Sequence, residues 1–249
     1  MGNETETGLP ASIELAWGRR ERPTKGPKRG LSLERIVEAG VDVAVAEGLG
    51  AVSIGRVAKE LGAAPMALYR YIGAKDELLA LMLDAACGRP PEPAGSGDGW
   101  RAGLAAWAWA LLGVWRRHPW GLAVPLNGLP LTPNQIAWME AGLACMRETG
   151  LDPRAKLSVM LLIMGFVRND ATMNVQLAEA TKRKPAQRPE TVADYGRVLA
   201  LLIDDERFPE LSAVLDARVM DSDAPPDDEF TFGLDRLLDG VAALIDGTG

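Results

Sequence analysis

The sequence predicts an all-α fold, and three patterns predict it together. Apolar residues recur at three- and four-residue steps through most of the chain. No run alternates apolar with polar residues as a half-buried strand does. Gly and Pro fall mostly between the periodic segments, where they end helices rather than interrupt them. No internal repeat is visible.

Residues 1–31 read as a flexible basic arm, rich in Gly, Pro, Thr and charge and without an apolar period. Ser32 then stands as an N-cap, and Ile36, Val37, Gly40, Val41 and Ala44 give an amphipathic helix to about Glu47, ended by Gly48 and Gly50. Ser53 caps a second, short helix, Ile54 to Leu61, with Ile54, Val57, Ala58 and Leu61 on its inner face. Gly62 supplies a turn. Pro65 suits the first position of a third helix running to about Ile72, and a fourth starts near Lys75 with Leu78, Leu79, Leu81, Met82 and Leu83.

Gly88–Gly99 is dense in Pro and Gly and reads as a linker. Beyond it, helical periods return at Trp100–Arg117, Pro133–Thr149, Arg154–Glu179, Thr191–Ile203, Glu210–Met220 and Phe230–Ile245. The expected organisation is an arm (1–31), a small three-helix helix-turn-helix domain (32–87), a linker (88–99) and a larger helical domain (100–249).

Hydrophobic residues make up 47% of the 249, enough to build a buried core. No apolar stretch reaches bilayer length, and the first thirty residues carry Glu4, Glu6 and Glu14 with no apolar core of a signal peptide. A cytoplasmic protein without membrane contact is expected. Cys87 and Cys145 stand alone, which suits a reducing compartment better than a disulfide. One histidine and no clustered Cys, His and Asp set leave no metal site, cofactor or catalytic constellation to propose.

The net charge of −7 argues against a general nucleic-acid coater. Its distribution matters more, because salt confines exposed charges to roughly 8 Å. Arg19, Arg20, Arg22, Lys25, Lys28, Arg29 and Arg35 crowd one stretch, while acid collects at Asp221, Asp223, Asp227, Asp228 and Glu229. A basic arm ahead of an acidic body is compatible with DNA binding. A solvated tail is the equal alternative.

Two short helices joined by Gly62, with small Ala58 at their crossing, make a helix-turn-helix. On the third helix, Leu68 and Ile72 face inward at i, i+4. That leaves Met66, Ala67, Arg70 and, obliquely, Tyr69 and Tyr71 facing out. The string SIGRVAKELGAAPMALYRYIGAKDELL, Ser53 to Leu79, closely resembles the N-terminal domain of the tetracycline-repressor family. The matching features are Ser53, Val57-Ala58, Leu61-Gly62, Leu68-Tyr69, Tyr71 and Lys75-Asp76-Glu77-Leu78. The segment HPWGLAVPLNGLPLTP from His118, with the long helix beyond it, is similar to the ligand-binding domain of the tetracycline-repressor branch itself.

The resemblance implies a ligand-responsive repressor that reads double-stranded DNA as a homodimer on a palindromic operator. The Pro65–Ile72 helix would enter the major groove. Tyr69, Tyr71 and Lys75 would hold phosphates, with Ser53 at the cap beside them. Pro65, Met66, Ala67 and Arg70 would face base edges, and Lys28 and Arg29 of the arm a minor groove. A half-buried core tyrosine is the plain alternative for Tyr69.

For the effector, the expected pocket takes a bulky apolar or aromatic molecule. It draws on Trp107, Trp115, His118, Trp120, Trp138, Met160, Met164, Asn169 and Met173, with Asn127, Asn174 and Gln176 as further polar groups. For any single Trp or Met, core is the simpler reading. Release is expected to run through the His118–Trp120 break, where Pro119 interrupts helical hydrogen bonding. Trp120→Ala is expected to uncouple effector from release while operator affinity survives. The long Arg154–Glu179 helix and the last helix (Phe232, Leu237, Leu238, Val241, Leu244, Ile245) resemble the family's dimer-forming pair. Two other classes stay open: a ligand-independent DNA-binding or architectural protein, and an α-helical enzyme.

Overall fold

The computed structural model describes residues 8–19, 31–92, 99–125, 129–182, 192–221, 225 and 227–247. Every regular element among them is helical: α1 (Ala11–Ala16), α2 (Leu33–Glu47), α3 (Ile54–Glu60), α4 (Pro65–Leu68), α5 (Lys75–Cys87), α6 (Gly99–Arg117), α7 (Pro133–Cys145), α8 (Pro153–Lys182), α9 (Val192–Leu202), α10 (Pro209–Asp216) and α11 (Asp228–Asp246). Single 3-10 turns lie at Leu49–Ala51, Pro119–Ala123 and Val219–Asp221. The all-α class and the helix-turn-helix hold. Among the described residues no helix is long and apolar enough to cross a membrane.

Local chemistry sets the head as expected. The Ser32 and Ser53 hydroxyls accept the backbone N–H groups of Arg35 and Arg56 at 3.3 and 3.1 Å, so both helices begin capped. Gly62 takes φ +63°, the left-handed turn that lets α3 give way to α4. Ile36, Val57, Leu68, Ile72, Leu78 and Met82 are fully buried at the centre of this cluster. The third helix is shorter than its periodicity suggests. It ends at Leu68, and Tyr69 to Tyr71 follow as a turn.

One expectation needs correction, and one lies outside the described residues. Residues 11–16, assigned to a flexible arm, form α1, which packs on α2 and α5 with Ser12, Ile13 and Glu14 buried. Six residues holding two large aliphatic side chains are too few to show a period. Tertiary contact supplies the stability that so short a helix lacks. Lys28 and Arg29 lie outside the described residues.

The chain groups into two compact units. One unit comprises Met1–Ala171 with Leu237–Gly249, and the other Thr172–Arg236. The first unit stays together because α5 packs on both α6 and α7. The buried Asp84 carboxylate of α5 accepts the backbone N–H groups of Asn134 and Gln135 at 2.8 and 3.0 Å, capping α7 from another helix. In addition, Arg101 of α6 pairs with Asp239 of α11 at 2.7 Å. Within the second unit, α9 and α10 pack on the Val219–Asp221 turn, where Gly196 leaves room for Met220.

Candidate functional site

The surface expected to meet DNA is built by α3, α4 and the start of α5. Arg56 of α3 bonds Glu47 of α2 at 2.5 Å and Glu60 at 2.7 Å, bracing the two helices. The Arg56 hydrogen bond holds the Glu47 carboxyl below its usual pKa, and both carboxylates push the guanidinium pKa up. Arg56 is thereby committed to bracing.

The exposed groups on α4 and its flanks are Pro65, Met66 (74% exposed), Tyr69 (49%) and Arg70. Ala67 is half-buried, and Lys75 is exposed as the first residue of α5. Ser53 is exposed too, with its oxygen serving as the α3 cap. Tyr71 corrects the reading. It is 8% exposed, its ring belongs to the head core, and its hydroxyl donates to the Leu31 carbonyl at 2.9 Å. Leu68, Tyr71 and Ile72 share one face, so the core tyrosine is Tyr71 and the outward one is Tyr69.

A carboxylate that sequence reasoning passed over orders the turn between α4 and α5. Glu77 Oε2 accepts the Gly73 N–H at 3.0 Å and the Ser12 hydroxyl of α1 at 2.5 Å.

The flank of α5 faces a cavity of about 520 Å³. Leu79, Leu83 and Cys87 of α5 form one wall. Leu111 and Trp115 of α6, Trp138 and Met139 of α7, and Leu161, Met164 and Arg168 of α8 form others. The size suits a drug-sized molecule. Its polar groups are few. Arg168 donates to the Leu122 carbonyl at 2.8 Å and lies 5.4 Å over the Trp115 ring, and burial pushes its pKa down. Two buried donors in lining residues, Trp115 Nε1 and Thr132 Oγ1, make no hydrogen bond among the described residues.

Of the expected effector residues, Trp115, Trp138 and Met164 line this cavity. Trp107 and Met160 instead belong to the core beneath it. The Trp107 indole donates to the Trp138 carbonyl at 3.0 Å, with the two rings 6.4 Å apart, and Met160 is fully buried. Asn169 is exposed, and Met173 is 54% exposed in the second unit.

His118 and Trp120 are also outside the lining. His118 sits edge-on to Trp120 at 6.1 Å, and burial, with the Arg117 charge added, pushes its pKa down. Trp120 and Val124 belong to the head core, carried there as the Pro119–Ala123 turn packs on the Leu49–Ala51 turn. Asn127 lies outside the described residues, and Asn174 and Gln176 are exposed. Among the described residues no group of three His, Cys, Asp or Glu side chains is placed to hold a metal.

Cys87 and Cys145 are both free thiols. Burial, with the Asp84 charge added, pushes the Cys87 thiol up to about 12. At pH 8 its thiolate fraction is then about 10⁻⁴, so N-ethylmaleimide labels it on the order of a thousandfold more slowly than a free thiol. The rate climbs about tenfold per pH unit toward pH 11. Mass spectrometry of the labelled chain follows this directly, and labelling at the free-thiol rate would contradict the burial.

Comparison with known proteins places this geometry. Residues 36–82 match the family described as bacterial regulatory proteins, tetR family, and residues 92–245 match the tetracyclin repressor-like C-terminal domain. The chain is 39% identical over 238 residues to the HTH-type transcriptional repressor DrrR1 of Streptomyces coeruleorubidus, covering 95% of this chain and 87% of that protein. Among solved structures, it is similar to ActR of Streptomyces coelicolor bound to actinorhodin, with 26% identity, 89% and 100% coverage and a TM-score of 0.70. It also matches ActR bound to (S)-DNPA, with 25% identity, 86% and 98% coverage and a TM-score of 0.71. Family members are DNA-binding regulators and not enzymes, which removes the α-helical enzyme as an alternative. The chain belongs to the tetracycline-repressor family of ligand-responsive, DNA-binding transcriptional regulators.

Proposed function

We propose that this protein is a cytoplasmic, homodimeric repressor that leaves a palindromic operator when a flat, largely apolar molecule bearing hydrogen-bond-accepting oxygens fills the α5–α8 cavity. One observation carries the reading. The helix that begins with Lys75 at the reading surface also supplies Leu79, Leu83 and Cys87 to the cavity wall. A molecule that displaces that wall displaces Lys75 with it, and the states need differ by only a few kcal/mol if the ligand prefers one. The two unpartnered donors, Trp115 Nε1 and Thr132 Oγ1, favour a ligand with peripheral oxygens, since a buried donor gains most from an acceptor. The description of DrrR1 as a repressor, and ActR's capture with actinorhodin, are consistent with this class.

For the DNA, α4 is the element proposed for the major groove. Tyr69 and Lys75 are the proposed phosphate contacts, with Ser53 beside them. Pro65, Met66, Ala67 and Arg70 face base edges, and only Arg70 among them can hold guanine bidentately. Two-fold pairing places two heads roughly 34–36 Å apart. Exposed Leu157, Leu161 and Leu162 on α8 and Leu244 on α11 are the apolar surface proposed for it.

The test is operator affinity of the full-length dimer across a salt series. Lys75→Ala is expected to weaken binding to all sequences alike and flatten the salt slope by about one. Arg70→Ala is expected to relax preference at one base pair at a cost of about 1–3 kcal/mol. An unchanged slope in Lys75→Ala refutes the docking, and a uniform loss in Arg70→Ala reassigns that side chain to phosphate.

A further inference from the structure

We propose that α1, which precedes the reading head, is a movable wall of the effector site, and that Ser12 transmits its position to the turn before Lys75. The inference rests on the cavity being the effector site, as proposed above, and adds a segment outside both matched family regions.

Pro10 and Ile13 line the cavity, and Ile13 and Ser12 are buried although α1 has only six residues. A helix that short does not hold itself, so its position is set by what it touches. Two long-range hydrogen bonds help to fix it. The Trp17 indole donates to the Leu131 carbonyl at 2.7 Å, and Leu131 also lines the cavity. The Ser12 hydroxyl donates to Glu77 Oε2 at 2.5 Å.

That same oxygen accepts the Gly73 N–H at 3.0 Å. Gly73 lies between the end of α4 and Lys75, so one carboxylate oxygen joins α1 to the turn that orients the recognition helix. A molecule that extends toward the Pro10–Ile13 side of the cavity pushes Ile13 outward. Ser12 then leaves Glu77, and the turn loses a restraint. The contacts at the cavity side of α1, the Ile13 seat and the Ser12–Glu77 and Trp17–Leu131 bonds, are local ones that ligand contacts can replace. The effector site therefore includes residues from the N-terminal segment, and effector length is read at Ile13.

The wall is tested without DNA or effector. In the full-length chain carrying Cys87→Ser and Cys145→Ser, Leu79→Cys places a buried thiol in the cavity wall, and N-ethylmaleimide is the probe. Adding Ile13→Asp, which drives α1 off its apolar seat, is expected to speed labelling tenfold or more. Trp17→Phe, which removes only the indole donor and guards against misfolding, is expected to speed it severalfold. Unchanged rates in both variants overturn the wall.

The link is tested by Ser12→Ala. Operator affinity without effector is expected to fall about fivefold, and amide exchange at Gly73 to quicken. Wild-type values for both overturn the link. A wild-type chain that never binds or never releases an operator removes the proposed function instead, and leaves the labelling result standing.

Discussion

Replacing Asp84 with alanine is expected to destabilise the chain by about 3 kcal/mol, more than any surface ion pair present is worth. Helix α7 begins at Pro133, which has no N–H, and Thr132 at the cap position makes no side-chain cap. Its first free donors, Asn134 and Gln135, both bond Asp84 Oδ1. The Asn134 amide nitrogen donates to Asp84 Oδ2 and to the Asp84 carbonyl, each at 3.1 Å. A negative group at a helix N-terminus is favourable in itself. Here it is buried, so water cannot take its place, and alanine leaves donors unsatisfied in the interior.

Asp84→Asn keeps one acceptor but turns the other position into a donor facing the Asn134 amide, so an intermediate loss of roughly 1–2 kcal/mol follows. Urea unfolding measures both, as a lower midpoint with unchanged slope. A loss in Asp84→Ala below about 0.5 kcal/mol, the range of a neutral surface change, refutes the capping account. Asp84 also ties α5 to α7, which brings Trp138 and Met139 to the cavity, while Lys75 stands at the other end of α5.

The reading head was legible because its determinants are local. Ser32 and Ser53 cap, Gly62 turns, Pro65 starts, and Ile36, Val57 and Leu68 bury, each within a few residues of what it controls. Tyr69 and Tyr71 marked the edge of that legibility. The helix ends at Leu68, so the direction of the next three side chains depends on the turn that follows it.

Features made by residues far apart in sequence were not legible. The trans cap joins Asp84 to residues fifty positions away, and Arg168 meets Leu122 and Trp115 across a comparable span. Neither Asp84 nor Arg168 carries a local signature. The tryptophans show the same division. Their number pointed to a pocket, but helix crossings decided that Trp115 and Trp138 line it while Trp107 lies beneath. The helix α1 escaped notice because its two large aliphatic residues reveal a face only when α5 is there to receive it.

Trp120→Ala is expected to cost roughly 3–5 kcal/mol, as large aromatic truncations in a packed core do, and to take operator binding down with it. This reverses the expectation that operator affinity would survive, because Trp120 is buried in the head core, not beside the cavity. Trp120→Phe separates packing from polarity. The indole nitrogen has no partner among the described residues, so phenylalanine removes a buried unsatisfied donor while keeping most of the ring. Its stability is expected within about 1 kcal/mol of wild type.

The route from cavity to head then needs a different probe, and Gly121, the next residue, supplies it. A Cβ there would lie 3.0 Å from Leu83 and 3.2 Å from Trp115, both cavity-lining. Gly121→Ala therefore presses from the head side on the Leu83 and Trp115 side chains, which must give by a few tenths of an ångström. Operator affinity without effector is expected to fall severalfold in Gly121→Ala, with the melting temperature lowered by only a few degrees. An unaltered operator affinity in that variant would show that the Pro119–Ala123 turn is packing alone and that release runs through α5 by another path.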